Sequence, residues 1–156
     1  MNSVVIIGLG NPLMSDEGVG IRLLHELAAR PSDLPGVDFV DAGTSSMRAL
    51  HAMAGRRKAV LVDCAFMGEK PGAIRRFTPD EAASAKRLPR LSLHEGDLMD
   101  AIRLSRQLGE CPPEVVIFGI EPAAVEMGNR LSGVCESAIG RYLEAIRGEA
   151  MRREAG

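Results

Sequence analysis

Tryptophan is absent, tyrosine occurs once, and aromatic residues make up only 3% of the 156-residue chain. That scarcity argues against base-stacking platforms for single-stranded nucleic acid and against aromatic-rich recognition surfaces. An excess of positive charge is also missing. Nineteen Lys and Arg stand against 21 Asp and Glu, a formal net charge of −2, so no basic field awaits a phosphate backbone. No apolar run approaches the roughly 20 residues that a membrane-spanning helix needs. Met1-Asn2-Ser3 carries no basic segment, and the apolar run after it soon ends in Gly8 and Asn11. No signal peptide is expected, and a cytoplasmic protein is. Cys64, Cys111 and Cys135 are widely spaced, with no Cys-x-x-Cys pair. They predict free thiols in a reducing compartment, not a zinc knuckle or a thioredoxin-like site. No Gly-Lys-Ser/Thr sequence follows a glycine loop, which excludes a P-loop.

What remains is 46% hydrophobic residues in a length suited to one domain with a sizeable core. Val4-Val5-Ile6-Ile7 is a continuous β-branched run, the mark of a strand buried on both faces. The pattern then predicts a helix over 17–29, a strand over 37–41, a helix over 47–54 and a strand over 59–63. A short strand over 74–77, a short helix over 79–85 and a basic, irregular stretch over 86–93 follow. A helix over 97–108 is expected to turn Leu98, Ile102 and Leu108 to one side. After the Pro112-Pro113 loop come a strand over 115–119 and a helix over 132–147, with Val134, Ile139, Leu143 and Ile146 inward. Alternation of strands and helices predicts an α/β fold: three αβα layers around a twisted, mostly parallel sheet of about five strands, phosphorylase/hydrolase-like. Residues 1–148 are expected to form this single domain, with 149–156 a polar, frayed tail.

Polar residues gather where strands end. Asn11, Asp16 and Glu17 follow the first strand, Asp41 and Thr44 the second, and Asp63 closes the third. In an open parallel sheet these carboxyl ends share one edge, and ligands bind in the crevice there. Glu17 and Asp63 are therefore expected to be neighbours, with His94 in reach from the loop before a helix. Two carboxylates and an imidazole suit nickel, zinc or manganese and leave coordination positions open. Taken singly, Glu17 is explained by the dipole of the helix it begins, Asp63 by a site or by a turn cap, and His94 by a surface or supporting place. His25 and His51 fall on helices away from that edge and receive no role, and Cys64 lacks the base partner of a nucleophile. Gly8-x-Gly10 starts like a dinucleotide fingerprint, but Leu13 stands where its third glycine belongs and Pro12 interrupts the loop.

The segment Gly8-Leu9-Gly10-Asn11-Pro12-Leu13-Met14-Ser15-Asp16-Glu17-Gly18-Val19-Gly20 resembles the opening motif of the [NiFe] hydrogenase maturation endopeptidases. The resemblance continues through Asp41-Ala42-Gly43-Thr44, Val62-Asp63, Ser92-Leu93-His94-Glu95, Gly119-Ile120-Glu121-Pro122 and Leu131-Ser132. Ala42 replaces a glycine common in the family. Peptidyl-tRNA hydrolases open similarly, but their further glycine, their Thr-Arg-His-Asn segment and a basic surface are missing here.

The resemblance implies an aspartic-type endopeptidase that removes a short C-terminal extension from the nickel-loaded large-subunit precursor of a [NiFe] hydrogenase. It implies metal-engaging roles for Glu17, Asp63 and His94, which are also the catalytic set, with Asp41 in support. Nickel is expected to arrive with the precursor. Gly10, Asn11, Gly43 and Thr44 are expected to hold the peptide backbone. No nucleic acid and no membrane take part, and the protein is expected to be a monomer. The competing readings are a non-enzymatic nickel-binding or chaperone-like module acting on the same partner and, ranked last, a nucleotide-binding domain.

Overall fold

A computed structural model describes residues 1–85, 89–92 and 95–153 of the chain. Its elements are β1 (Val4–Leu9), a 3-10 turn (Ser15–Gly18), α1 (Val19–Ala28), β2 (Val37–Gly43), α2 (Ser46–Met53), β3 (Lys58–Phe66) and β4 (Ile74–Phe77). Then come α3 (Pro79–Ser84), β5 (Arg90–Leu91), α4 (Glu95–Gln107), β6 (Glu114–Ile120), α5 (Gly133–Ser137) and α6 (Ile139–Met151).

The main sheet runs β2-β1-β3-β6-β4, with β5 paired to β3. β2, β1, β3 and β6 are parallel, while β4 and β5 are antiparallel to β6 and β3. The sheet is thus mixed and six-stranded, one strand more than expected. The two-residue β5 has no periodicity by which sequence could show it.

Strand periodicity of two sorts the core into halves. Val4, Ile6, Val60, Val62, Val116 and Phe118 pack with Leu23, Leu27, Tyr142 and Ile146. Val5, Ile7, Ala59, Leu61 and Ile117 pack with Ala49, Met53, Leu98 and Ile102 on the other face. The layers are therefore α1 and α6, the sheet, then α2 and α4.

Gly20 lets α1 approach the sheet. A Cβ there would lie 2.3 Å from the Val62 carbonyl oxygen and 2.5 Å from that of Leu9. Alanine in a helix interior normally stabilises relative to glycine, but here the sign reverses. Gly20→Ala is expected to cost about 3 kcal/mol, the upper range for overpacking, read as a lower midpoint in urea unfolding.

Three expectations need correction. The helix over 17–29 starts as the 3-10 turn, and the one over 132–147 breaks at Ala138 into α5 and α6. Leu108 and Val134 are exposed: Leu108 lies beyond the end of α4, and Val134 faces outward from the short α5. The frayed tail does not begin at residue 149: α6 continues to Met151 and buries Glu149 and Ala150. The buried Lys58 ammonium donates to the Glu149 carbonyl at 2.7 Å and to its carboxylate at 2.9 Å, which ties down this last turn. Residues 86–88 and 93 of the irregular stretch and 154–156 of the tail lie outside the described residues.

Candidate active site

From β1 the chain moves to β2 on one side and then to β3 on the other. The strand order reverses there, and the crevice at the carboxyl ends of β1 and β3 is the place where such a sheet takes a ligand. The loop after β1 brings Gly10, Asn11 and Glu17 to this crevice, and Asp63 comes from β3.

Gly10 has φ 132, in the left-handed half of conformational space, and a Cβ on it would sit 2.0 Å from the Glu17 carbonyl oxygen. The same Cβ would lie 3.6 Å from Asp63 Oδ1. Only glycine allows the loop to fold back this far, and the folding back is what brings the Glu17 segment beside Asp63. Asn11 helps close the turn: its N–H donates to the Glu17 carbonyl at 3.2 Å, and its Oδ1 accepts from the Leu13 N–H at 3.0 Å.

Ser15 has φ 52, unusual for a residue with a side chain. Its hydroxyl donates to the Glu126 carbonyl at 2.8 Å and its N–H to that of Gly128 at 2.9 Å, which holds the strained conformation. Asp16 is fully buried. It accepts from the Ala123, Ala124 and Ser132 N–H groups at 2.9, 3.0 and 2.8 Å. Burial opposes its ionisation, but the bonds from Ser132, Ala124 and Ala123 outweigh burial and hold its pKa below the ordinary value. The Asp16 carboxylate is thus taken up by backbone amides. It ties the glycine loop to the segment after β6.

Glu17 is half-buried, and burial raises its pKa. Asp63 is fully buried and does not close its strand as expected: β3 continues to Phe66, and Asp63 sits just past its last pairing with β1, at Val62. Its Oδ2 accepts from the Ser92 N–H at 2.9 Å, and its Oδ1 from the Ser92 hydroxyl at 2.5 Å. Burial pushes its pKa up to about 7 against the lowering effect of the Ser92 and Cys64 hydrogen bonds, and the Glu17 charge adds to the rise. Glu17 and Asp63 therefore come together, as their strand-end positions predict. The Cys64 thiol is pushed far up, by burial first and then by the Asp63 and Glu17 charges, in accord with no nucleophilic role. His94 lies outside the described residues. Among the described residues no group of three or more His, Cys, Asp and Glu side chains gathers as a metal cage.

The second strand completes the rim. Gly8 pairs with Asp41 and Leu9 with Gly43, so β2 bulges at Ala42. Asp41 Oδ1 accepts from the Gly43 N–H at 2.9 Å, and the Gly43 carbonyl accepts from the Gly10 N–H at 2.8 Å. Thr44 is exposed at the strand's exit.

Two residues given no role by sequence reasoning enter here. Ser92 holds Asp63. Its only signal is a hydroxyl two positions before His94 in a loop. His25, placed away from the edge by its helix position, reaches Asp41 Oδ2 with Nε2 at 3.2 Å.

A family model described as hydrogenase maturation protease matches residues 21–149, a span that includes Asp63 and begins beyond Glu17. The hydrogenase expression/formation protein HoxM of Cupriavidus necator is 29% identical over 142 residues, covering 90% of this chain and 70% of that protein. The hydrogenase 2 maturation protease of Escherichia coli is 28% identical over 153 residues, covering 98% and 92%. The solved hydrogenase maturating endopeptidase HybD of E. coli superposes with a TM-score of 0.78 at 26% identity, covering 94% of this chain and 90% of its own. With most of its length matched by the family model, the chain belongs to the hydrogenase maturation protease family.

Proposed function

We propose that this protein is an endopeptidase that removes a short C-terminal extension from the nickel-loaded large-subunit precursor of a [NiFe] hydrogenase. The observation that carries this reading is the pairing of Asp63 with Glu17 at the β1/β3 crevice. Asp63 is wholly buried, its carboxylate hydrogen-bonds to Ser92 and to the Cys64 backbone, and burial still outweighs those bonds. A carboxylate kept this dry beside a second carboxylate is poorly compensated, and an incoming divalent cation would compensate both. Carboxylate oxygens with the imidazole of His94 are a donor set that nickel accepts.

Nickel in this scheme belongs to the substrate. Glu17, Asp63 and His94 engage the metal held by the precursor, so only a loaded precursor docks productively. Gly10, Asn11, Gly43 and Thr44 lie along the rim and hold the backbone beside the cut. Hydrolysis adds water across one peptide bond. A carboxylate takes a proton from the water, its oxygen joins the carbonyl carbon, and the leaving amine gains a proton. Burial raises the Asp63 pKa in the free protein, so binding the cation would release a proton near neutral pH.

The test is the intact mass of the precursor, nickel-loaded and metal-free, with and without this protein. Loss of one C-terminal peptide from the loaded sample alone is expected, and His94→Ala is expected to fold normally and leave the precursor whole. An unchanged mass, with the precursor and this protein co-eluting in the presence of nickel, would replace the protease by a nickel-binding, chaperone-like module.

A further inference from the structure

The His25–Asp41 pair is weak as a stabilising device. The two side chains are 64% and 41% exposed, and such pairs contribute at most about 1 kcal/mol. Its position is more telling than its strength. The Asp41 carboxylate is divided between two tasks: Oδ2 meets His25 Nε2 at 3.2 Å, and Oδ1 accepts from the Gly43 N–H at 2.9 Å. Gly43, in the left-handed region at φ 54, passes the constraint on, since its carbonyl accepts from the Gly10 N–H at 2.8 Å. Gly10 is the residue whose missing side chain lets Glu17 fold back toward Asp63. One chain of hydrogen bonds thus runs from the last turn of α1 to the glycine loop at the crevice.

His25 belongs to the last turn of α1, away from the helix start that adjoins the glycine loop. It stands six residues beyond Val19, about 9 Å along the helix at 1.5 Å per residue. It also lines a cleft of about 570 Å³ whose other walls include Pro12, Gly18, Ile21, Arg22 and Leu131. The cleft follows α1 along the back of the glycine loop, and its size lies in the range of ligand-binding clefts.

We infer that His25 is a positioning residue for the precursor peptide, which through Asp41 fixes the Gly43 turn and the Gly10 loop in the register the peptide meets. The inference rests on the protease reading of the crevice. With a proton on Nε2 the imidazole donates to Asp41, and glutamine in its place presents an amide N–H at similar reach.

The experiment compares wild type, His25→Ala and His25→Gln on the nickel-loaded precursor, alongside amide hydrogen exchange of the proteins alone. His25→Ala is expected to raise KM about tenfold with kcat little changed, the pattern of lost binding before the chemical step. His25→Gln restores KM. In the free proteins, exchange at the Gly43 and Gly10 amides is expected to quicken about tenfold in His25→Ala, through easier local opening, and to return in His25→Gln, while unfolding midpoints stay together. Unchanged exchange in His25→Ala, or an equal loss of stability in both variants without a KM effect, overturns the inference. A wild-type protein that leaves the precursor whole overturns the protease reading instead, and the exchange rates still decide whether His25 holds the turn.

Discussion

Asp63→Asn is expected to abolish cleavage and, at pH 8, to leave a protein more stable than wild type by on the order of 4 kcal/mol. Stability rises because asparagine keeps the hydrogen bonds and loses the charge. Its amide oxygen accepts from the Ser92 N–H, as Asp63 Oδ2 does, and its NH₂ group donates to the Ser92 hydroxyl, which can rotate to accept. What disappears is the burden of an ionised group in a dry place. Folded, Asp63 titrates about 7, against an ordinary value of 3.8. Between those pH values the folded chain holds the proton more tightly than the unfolded chain. Stability is therefore greatest below the lower value and declines as pH rises through the higher one. Wild type and variant should unfold together near pH 4, separate as pH rises, and keep a constant gap above about pH 7.5. Urea unfolding across this range measures the gap. A variant less stable than wild type at pH 8 would mean that Asp63 is compensated in the free protein. Loss of activity with gain of stability would mark a residue retained for what it does, since function and stability commonly conflict at such sites.

The second large effect lies at the opposite end of β3. A chain ending at Gly148 is expected to lose about 3 kcal/mol of stability, the lower range for breaking a buried ion pair, while a chain ending at Met151 should match the whole protein. Lys58 is fully buried, and its Nζ meets the Glu149 carboxylate at 2.9 Å, the Glu149 carbonyl at 2.7 Å and Glu114 Oε1 at 3.2 Å. Arg76 also pairs with Glu149. Burial alone would raise the Glu149 pKa, but Lys58 and Arg76 outweigh it and hold the pKa below the ordinary value. Cutting at 148 removes two of the three acceptors around Lys58 and leaves its charge in the core. Lys58→Met in the shortened chain should recover most of the loss, because an apolar side chain of similar length needs no partner. Thermal unfolding of the four proteins decides the matter. Equal midpoints for the chains ending at 148 and 156 would show that Glu114 alone suffices.

Local patterns were legible where the physics is local. Val4-Val5-Ile6-Ile7 reads as a buried strand and is one, and the apolar run before Asp63 puts that acid beside Glu17, although β3 runs three residues further than expected, to Phe66. Charge pairing and side-chain-to-backbone bonds have no period, and they escaped. Asp16 looks like the acid that any helix start prefers, yet its carboxylate serves N–H groups 107 to 116 residues away. Glu149 looks like part of a polar tail because Lys58, 91 residues earlier, is not visible as its partner. Ser92 finds Asp63 across 29 residues of turns and short elements. His25 sits at a helical spacing that says nothing about Asp41, because their meeting depends on how the chain turns back between α1 and β2.

The bonds that Asp16 makes to Ala123, Ala124 and Ser132 also bear on the order of assembly. A ribosome delivers the glycine loop first and these partners more than 100 residues later. Closing so long a loop is slow and becomes possible only after Ser132 has been made. Until then the buried carboxylate has no backbone to hold it, and the strained turn at Ser15 lacks its Glu126 and Gly128 anchors. An unfinished chain therefore lacks the bonds that fix Glu17 beside Asp63. The glycine loop and the segment after β6 must meet before the crevice exists, so a nascent chain carries the residues of this family's chemistry without their arrangement.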